Sequence, residues 1–133
     1  MIPKLQDIDV KYVHSELSHN IIGACYEIQN EIGCGRPEKT YQKALAMEFI
    51  RRGLKFKEQV VANLIYKREK LSNRRFDFVV EDKVVVELKV GLYLAESDFK
   101  QLNEYLIMSN LKLGLLVLFS NQGVKVRRVV NVN

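Results

Sequence analysis

Two neighbouring apolar runs, residues 75–82 and 83–90, constrain this chain more than any other feature. They read RFDFVVED and KVVVELKV, and the charged residues 81–83 lie where they join. Short runs rich in Val and Phe around a polar connection are typical of a β-hairpin. Because residues two apart share a strand face, Glu87 and Lys89 lie on one face, and the other face is apolar. The second run is therefore predicted as a central strand with two charged residues on one face.

Asp77, on the first run, completes a group of three charged residues with Glu87 and Lys89. Buried charges are costly unless they are paired or bind a metal. Two carboxylates suit Mg²⁺, which takes one or two protein carboxylates and keeps several waters. The Lys89 ammonium would then serve the attacking water and stabilise the transition state. The alternative is an ion pair of Lys89 with Glu87 or Asp77 that ties the hairpin together, and the pattern alone leaves both interpretations open.

The register of the hairpin decides whether Asp77 can meet Glu87. Directly opposed residues share a face, so position 77 must pair with 87 and position 80 with 84. This register predicts a three-residue connection or a bulge at residues 81–83. A regular two-residue turn pairing 81 with 84 would place Asp77 on the wrong face.

The remaining periodicity predicts an α/β chain. Apolar spacing and helix-end residues indicate two helices before the hairpin and one after it, and strand-like runs flank the second and third helices. The predicted bounds are a helix from Ser15 to Ile32, a helix opening near Pro37 and closing at Gly53, a strand from Glu58 to Tyr66, a helix from an N-cap at Ser97, a central strand from Leu113 to Phe119 and an edge strand from Val124 to Val130.

The densest basic run follows the first predicted strand. It is predicted either as a solvated hairpin tip or as a surface that binds phosphates. Its cations are Lys67, Arg68, Lys70, Arg74 and Arg75.

Composition narrows the class of protein. With 133 residues, 47% of them hydrophobic, the chain is expected to form one domain over residues 1–133. A formal charge of +5 favours a polyanionic partner. Cys25 and Cys34 are not spaced as a metal knuckle, and we expect two thiols, with Cys25 buried. The absence of a signal core and of a long apolar run predicts a cytoplasmic protein that does not contact a membrane.

The order Asp77, hairpin, Glu87-Leu88-Lys89, then a helix with Gln101 and Tyr105, resembles the PD-(D/E)xK nuclease superfamily. The segment Gly35-Arg36-Pro37-Glu38-Lys39-Thr40-Tyr41 resembles the signature of the GxxExxY proteins within it. Further matching pieces are Tyr41 to Leu45, Glu58-Gln59, Gln101 to Leu106 and Gly114 to Leu116. The resemblance extends from about Ile21 to Asn131.

This resemblance implies a restriction-endonuclease-like α/β fold, with core order α-β-β-β-α-β and an extra N-terminal helix. It implies a Mg²⁺-dependent nuclease, with Mn²⁺ as a substitute, that acts on nucleic acid, DNA being favoured. Asp77, Glu87 and the Leu88 carbonyl would hold the metal, and Lys89 would serve the water.

The resemblance also implies roles for three helical residues. Glu38 would be a third acidic group that reaches the metal directly or through water; the alternative is a carboxylate favoured by the helix dipole. Gln101 would orient Lys89 or a substrate phosphate, and Tyr105 would contact nucleic acid; the alternative is satisfied polar groups at the helix–sheet boundary. Within this class a structure-selective nuclease working as a homodimer is favoured. The rival interpretation is a catalytically inactive nucleic-acid-binding or protein-interaction module.

Overall fold

The structure, a computed structural model, describes residues 13–132. Its elements confirm the predicted order; the first, fourth and fifth strands are one or two residues longer than expected, and the second strand begins six residues earlier than the predicted run. They are α1 (Ser15–Ile32), α2 (Glu38–Arg51), β1 (Phe56–Tyr66), β2 (Glu69–Val80), β3 (Val84–Val90), α3 (Glu96–Ser109), β4 (Leu113–Ser120) and β5 (Gly123–Val130). Together they confirm the α/β restriction-endonuclease-like fold, with α1 as the extra N-terminal helix and β5 following the core.

The strands form a five-stranded mixed sheet in the order β1-β2-β3-β4-β5. Only β3 and β4 are parallel, and α3 makes the crossover between them that a parallel pair requires. All eight residues of β4 are buried, and β3 is the middle strand, so both are central as predicted. Among residues 13–132, β5 pairs only with β4, which agrees with the predicted edge strand.

Helices cover both faces of the sheet. The larger core lies between the sheet and the pair α1 and α2, and it includes Ile21 and Phe78. The smaller core lies between the sheet and α3, and it includes Val85 and Leu102. A Cβ atom on Gly114 of β4 would lie 2.7 Å from Leu102 Cδ2, so the missing side chain lets α3 approach the sheet closely. Among residues 13–132 we find no helix with the length and hydropathy that a membrane span needs.

The β2–β3 connection has the predicted length and register. Val80 pairs with Val84 and Phe78 with Val86, so residues 81–83 form a three-residue loop. The Lys83 amide donates to the Val80 carbonyl at 2.9 Å and closes the loop. This register extrapolates to Asp77 opposite Glu87, as the metal-site hypothesis requires.

The β1–β2 hairpin extends well beyond the rest of the sheet. Its backbone pairing reaches Tyr66 with Glu69, whereas β2 pairs with β3 only over residues 78–80. The second strand of this hairpin therefore begins at Glu69, six residues before the predicted run of residues 75–82. Only Lys67 and Arg68 form the turn, both with positive φ as a type I′ turn requires, and the other three basic residues belong to β2.

Two helix ends show how local chemistry set the boundaries. α2 ends in a Schellman motif at Gly53, where the Leu54 amide donates to the Phe49 carbonyl and the Gly53 amide to the Ile50 carbonyl. The N-cap predicted at Ser97 was wrong, because the helix begins at Glu96 after Ala95. The Asp98 carboxylate accepts a hydrogen bond from the Ala95 amide at 2.9 Å, which is the bond that the N3 residue makes in a capping box.

Candidate active site

The two predicted acids lie together at the point where β2 and β3 separate. Asp77 is 6% exposed and Glu87 is 8% exposed. Glu87 Oε1 accepts the Asp77 amide at 3.2 Å, and Asp77 Oδ2 accepts the Leu88 amide at 2.7 Å. Their carboxylates therefore continue the β2–β3 hydrogen bonding with side chains after the backbone pairing has ended.

The side-chain alternation of β2 breaks at Asp77. Phe78 packs in the core under α1 and α2, but Phe76, two residues away, packs in the core under α3. On the facing strand Gln59 has φ of +50°, an unusual value for a strand residue. The Asp77 side chain is reached from α2, since Gln42 Nε2 donates to its Oδ1 at 2.7 Å.

Burial raises the pKa of Glu87 to about 9, with hydrogen bonding to Asp77 and repulsion from its carboxylate as further causes. Two carboxyl groups in one desolvated position cannot both ionise without a compensating cation. At neutral pH the metal-free pair therefore holds a proton on Glu87. A divalent cation could take the place of that proton, so the donor set fits a metal that needs few protein ligands.

Lys89 lies beside these acids but pairs elsewhere. Its Nζ is 3.6 Å from Oδ1 of Asp98, in the first turn of α3, and the Lys89 side chain is 34% exposed. Among the ion pairs of residues 13–132, Lys89 has this one and none with Asp77 or Glu87. The hairpin is thus joined by its two carboxylates, and the ammonium group stays at the solvent boundary, where a substrate could reach it.

Glu38 begins α2 and lies near Asp77 and Asp98, whose charges act on its carboxyl group. Burial raises its pKa, and repulsion from Asp77 adds to that shift, whereas Lys89 opposes it. No group of three or more His, Cys, Asp and Glu side chains that could hold a metal occurs among residues 13–132. A contact of Glu38 with a metal, directly or through water, stays a prediction.

Tyr41 fixes the position of Glu38. It is fully buried, its ring stacks on Phe119 at 4.2 Å between centroids, and its hydroxyl donates to the Gly33 carbonyl at 2.7 Å. The same hydroxyl accepts the Arg36 amide at 3.3 Å. Tyr41 therefore holds the loop from which α2 begins, and its position one helical turn after Glu38 links the two residues of the signature segment.

Gln101 and Tyr105 lie on the side of the sheet that α3 covers. They line a narrow cleft of about 40 Å³ with Arg74, Phe76 and Glu104 among other residues. The Tyr105 ring lies 4.4 Å from that of Phe76. The structure brings Asp77, Glu87, Leu88 and Lys89 together on the hairpin, and it places Gln101 and Tyr105 in this separate cleft.

A larger open groove lies on the α2 side of the β1–β2 hairpin. Its volume is about 550 Å³, and it contains the cations Lys39, Lys43 and Arg75. Its walls also include Glu38 and Gln42, so the groove leads directly to Asp77. Arg74 and Arg75 thus line different depressions, because neighbouring strand residues point to opposite faces.

The sequence interpretation missed two residues of this site, Gln42 and Asp98. Gln42 lies one turn after Glu38 on the same helical face, and this spacing could have identified it. Asp98 was hidden by the wrong N-cap, since its capping carboxylate is also the partner of Lys89.

The chain matches a family model and is similar in fold to a solved structure. Residues 15–129 match the family model described as the PD-(D/E)XK nuclease superfamily. A search of curated proteins found no match. The crystal structure of SSO0001 is similar with a TM-score of 0.55 and 15% identity, over 92% of this chain and 61% of that one. At this identity the likeness shows the fold alone, and this chain spans about three fifths of the length of SSO0001.

Proposed function

Because this chain belongs to the PD-(D/E)XK nuclease superfamily, we propose that it is a Mg²⁺-dependent nuclease that hydrolyses phosphodiester bonds of nucleic acid, with DNA as the favoured substrate. The observation that carries the proposal is the buried pair of Asp77 and Glu87, in which Glu87 accepts the Asp77 amide and Asp77 accepts the Leu88 amide. A pair that must hold a proton when no cation is present is suited to a divalent metal.

Asp77, Glu87 and the Leu88 carbonyl would hold the metal. These oxygen ligands suit Mg²⁺ or Mn²⁺, with the remaining positions left to water and substrate. A metal bound there would supply a water of lowered pKa and would neutralise charge on the phosphorus centre. Gln42 fixes Asp77 through its 2.7 Å hydrogen bond and is a positioning residue.

Lys89 and Glu38 would act from the solvent side of the acids. The half-buried ammonium of Lys89 would stabilise the negative charge that develops on the phosphate oxygens. Its partner Asp98 holds it near the acids until substrate arrives. Glu38, at the start of α2, would reach the metal through a water molecule.

Gln101 and Tyr105 would contact the substrate from the α3 side. Their place in a cleft with Arg74 supports a contact with the substrate backbone over a contact of Gln101 with Lys89. The groove of Lys39, Lys43 and Arg75 would bind phosphates on the other side. The rest of the predicted basic surface, Lys67, Arg68 and Lys70, lies exposed at the far end of the hairpin.

Within the superfamily we place the chain with the GxxExxY proteins. Gly35 has φ of +85°, in the left-handed region, which favours glycine. Glu38 lies near Asp77, and Tyr41 anchors the preceding loop. Each residue of the signature thus has a physical reason for its place, and this supports the assignment.

Substitution of the site should separate cleavage from binding. Asp77→Asn and Lys89→Ala are expected to abolish cleavage with Mg²⁺ or Mn²⁺ and to leave nucleic-acid affinity largely intact, because binding rests on the basic grooves. Lys100→Ala is the matched control, since this exposed lysine pairs with Glu96 in its own helix. Cleavage is measured on labelled single-stranded, duplex and branched DNA and on RNA, and affinity by fluorescence anisotropy in EDTA.

Equal loss of binding and cleavage in both variants would contradict this assignment of roles. Wild-type protein that binds nucleic acid but never cleaves it would favour the inactive binding module. Calorimetry with Mn²⁺ on wild type and Glu87→Ala distinguishes the cases further, because only a metal site loses its binding heat in the variant.

A further inference from the structure

The loop between β3 and α3 exposes an aromatic residue close to the candidate catalytic acids. Tyr93 is 81% exposed and Leu92 is 69% exposed. The loop borders a cleft of about 270 Å³ whose other walls include Phe99, Lys125 and Arg127. Neither Tyr93 nor these two cations belongs to the proposed active site.

Strand register places this cleft on the catalytic face of the sheet. Lys89 pairs with Leu118, and Leu118 pairs with Lys125. In the same way, Glu87 pairs with Leu116 and Leu116 pairs with Arg127, so Glu87 and Arg127 lie two strands apart. Neighbouring strands lie about 4.8 Å apart, so each β5 cation begins roughly 10 Å from its partner on β3.

The charges of this cleft are not compensated by acids. Lys125 Nζ donates to the Gln122 side-chain oxygen, and Arg127 Nη1 donates to the Val126 carbonyl, both at 3.2 Å. Both acceptors are neutral, and no carboxylate among residues 13–132 forms an ion pair with either cation. The residues that line the cleft are apolar, aromatic or positive. Such a surface complements a ligand with a flat apolar part and negative charge.

We propose that this cleft binds one unpaired nucleotide beside the scissile phosphate, with its base stacked on Tyr93 and its phosphates held by Lys125 and Arg127. The proposal rests on the proposed nuclease function and narrows its substrate to nucleic acid with a single-stranded segment. Base faces are available for stacking on a side chain only where the strand is unpaired, because a duplex covers them with neighbouring bases. Aromatic side chains that stack on bases within a positive groove are the usual means of binding single strands.

Binding measurements in EDTA test this proposal without cleavage. Fluorescence anisotropy with the full chain should show that Tyr93→Ala weakens affinity for a single-stranded oligonucleotide by about 5- to 140-fold, the equivalent of one lost stacking contact. Tyr93→Phe should retain affinity, because the ring remains. Affinity for the matching duplex should change little in both variants. Tyr26→Ala is the control, since Tyr26 is a 47% exposed tyrosine on α1.

Two further measurements test the parts of the subsite separately. An oligonucleotide carrying 2-aminopurine should lose fluorescence on binding wild type, because the base stacks, and should keep it on binding Tyr93→Ala. The double variant Lys125→Gln with Arg127→Gln should flatten the salt dependence of single-strand affinity by about 0.7 in slope for each lost contact.

The inference is overturned if Tyr93→Ala weakens single-strand and duplex binding equally, or weakens neither. It is also overturned if the variant changes only the oligomeric state, which would make the loop a protein interface. In those cases cleavage by wild type and its loss in Asp77→Asn would still support the nuclease. A protein that binds no nucleic acid at all would overturn both.

Discussion

At the scale of the residue, the protonation of Glu87 decides the charge of the candidate site. Burial raises its pKa to about 9, so in the metal-free protein this carboxyl is protonated at neutral pH. The unfolded chain has the ordinary pKa of 4.5 and is ionised there. The folded state therefore binds a proton that the unfolded state releases.

This difference predicts how stability depends on pH. Between about pH 4.5 and pH 9 the folded metal-free protein holds more protons than the unfolded chain, so its free energy of unfolding should fall as pH rises. The contribution is fully present below pH 4.5 and is lost as pH rises through about 9. Thermal unfolding in EDTA across this range measures it.

Glu87→Gln provides the comparison, because the amide cannot ionise and nearly keeps the shape of the acid. Its stability should depend less on pH over the same range. If the free energy of unfolding changed equally with pH in wild type and variant, the assignment of the proton to Glu87 would be contradicted.

At the scale of the element, α3 brings Asp98 to Lys89 by lying close against β4. The approach depends on Gly114, since a Cβ there would meet the Leu102 side chain at 2.7 to 2.9 Å. Leu102 is fully buried in the core under α3, so its side chain cannot move aside into solvent. The position of the helix and the position of its first-turn acid are thus coupled.

Gly114→Ala should therefore destabilise the protein by about 1–3 kcal/mol, the usual cost of overpacking. It should also reduce cleavage, because displacement of α3 moves Asp98 away from Lys89. Chemical denaturation and a cleavage assay check the two effects. Gly23→Ala in α1 is the control, because its nearest neighbour is the end of the flexible Arg52 side chain at 3.3 Å. A Gly114→Ala protein as stable as wild type would show that the contact relaxes at no cost.

The elements themselves followed from local patterns. The bounds of α1 and the Gly53 end of α2 could be predicted because apolar spacing and glycine at C′ act within a few residues. The three-residue turn could be predicted from the parity of Asp77 and Glu87. The start of α3 could not, because its cap comes from a residue already inside the helix.

The site was predictable in part for the same reason. The register of one hairpin places Asp77 opposite Glu87, and alternation along β3 places Lys89 on the same face as Glu87. The contacts of Gln42 with Asp77 and of Lys89 with Asp98 join distant segments, and no sequence period encodes them. The basic run was misplaced because a turn of Lys67 and Arg68 lacks the glycine or asparagine that usually identifies type I′ turns.

At the scale of the whole molecule, the hairpin separates its own cations. Arg75 lines the groove with Lys39 and Lys43, whereas Arg74 lines the narrow cleft under α3. The groove holds three cations against the two acids Glu38 and Glu58, whereas the cleft under α3 is lined by Arg74 and Glu104 and carries no excess positive charge. The two neighbouring arginines are therefore expected to differ in their effect on binding.

Arg75→Gln should flatten the plot of log affinity for duplex DNA against log salt by about 0.9 in slope, equivalent to one phosphate contact. It should raise the substrate concentration for half-maximal cleavage more than it lowers the saturated rate. Arg74→Gln is the matched control and should leave the slope nearer to wild type, since Glu104 shares its cleft. Equal slopes for the two variants would show that the groove of Lys39, Lys43 and Arg75 is not the surface that binds DNA.

The side-chain bridge between Asp77 and Glu87 has an evolutionary consequence. Since each carboxylate accepts a backbone amide of the neighbouring strand, both extend the contact of β2 with β3 beyond the backbone-paired residues, whether or not the protein cleaves anything. A descendant that lost its activity would be under selection to keep them for folding. Lys89 contributes little to the stability of the fold, because its ion pair with Asp98 is partly exposed and such pairs add little to the free energy of unfolding. The lysine, and not the acids, is the position at which an inactive relative would be recognised.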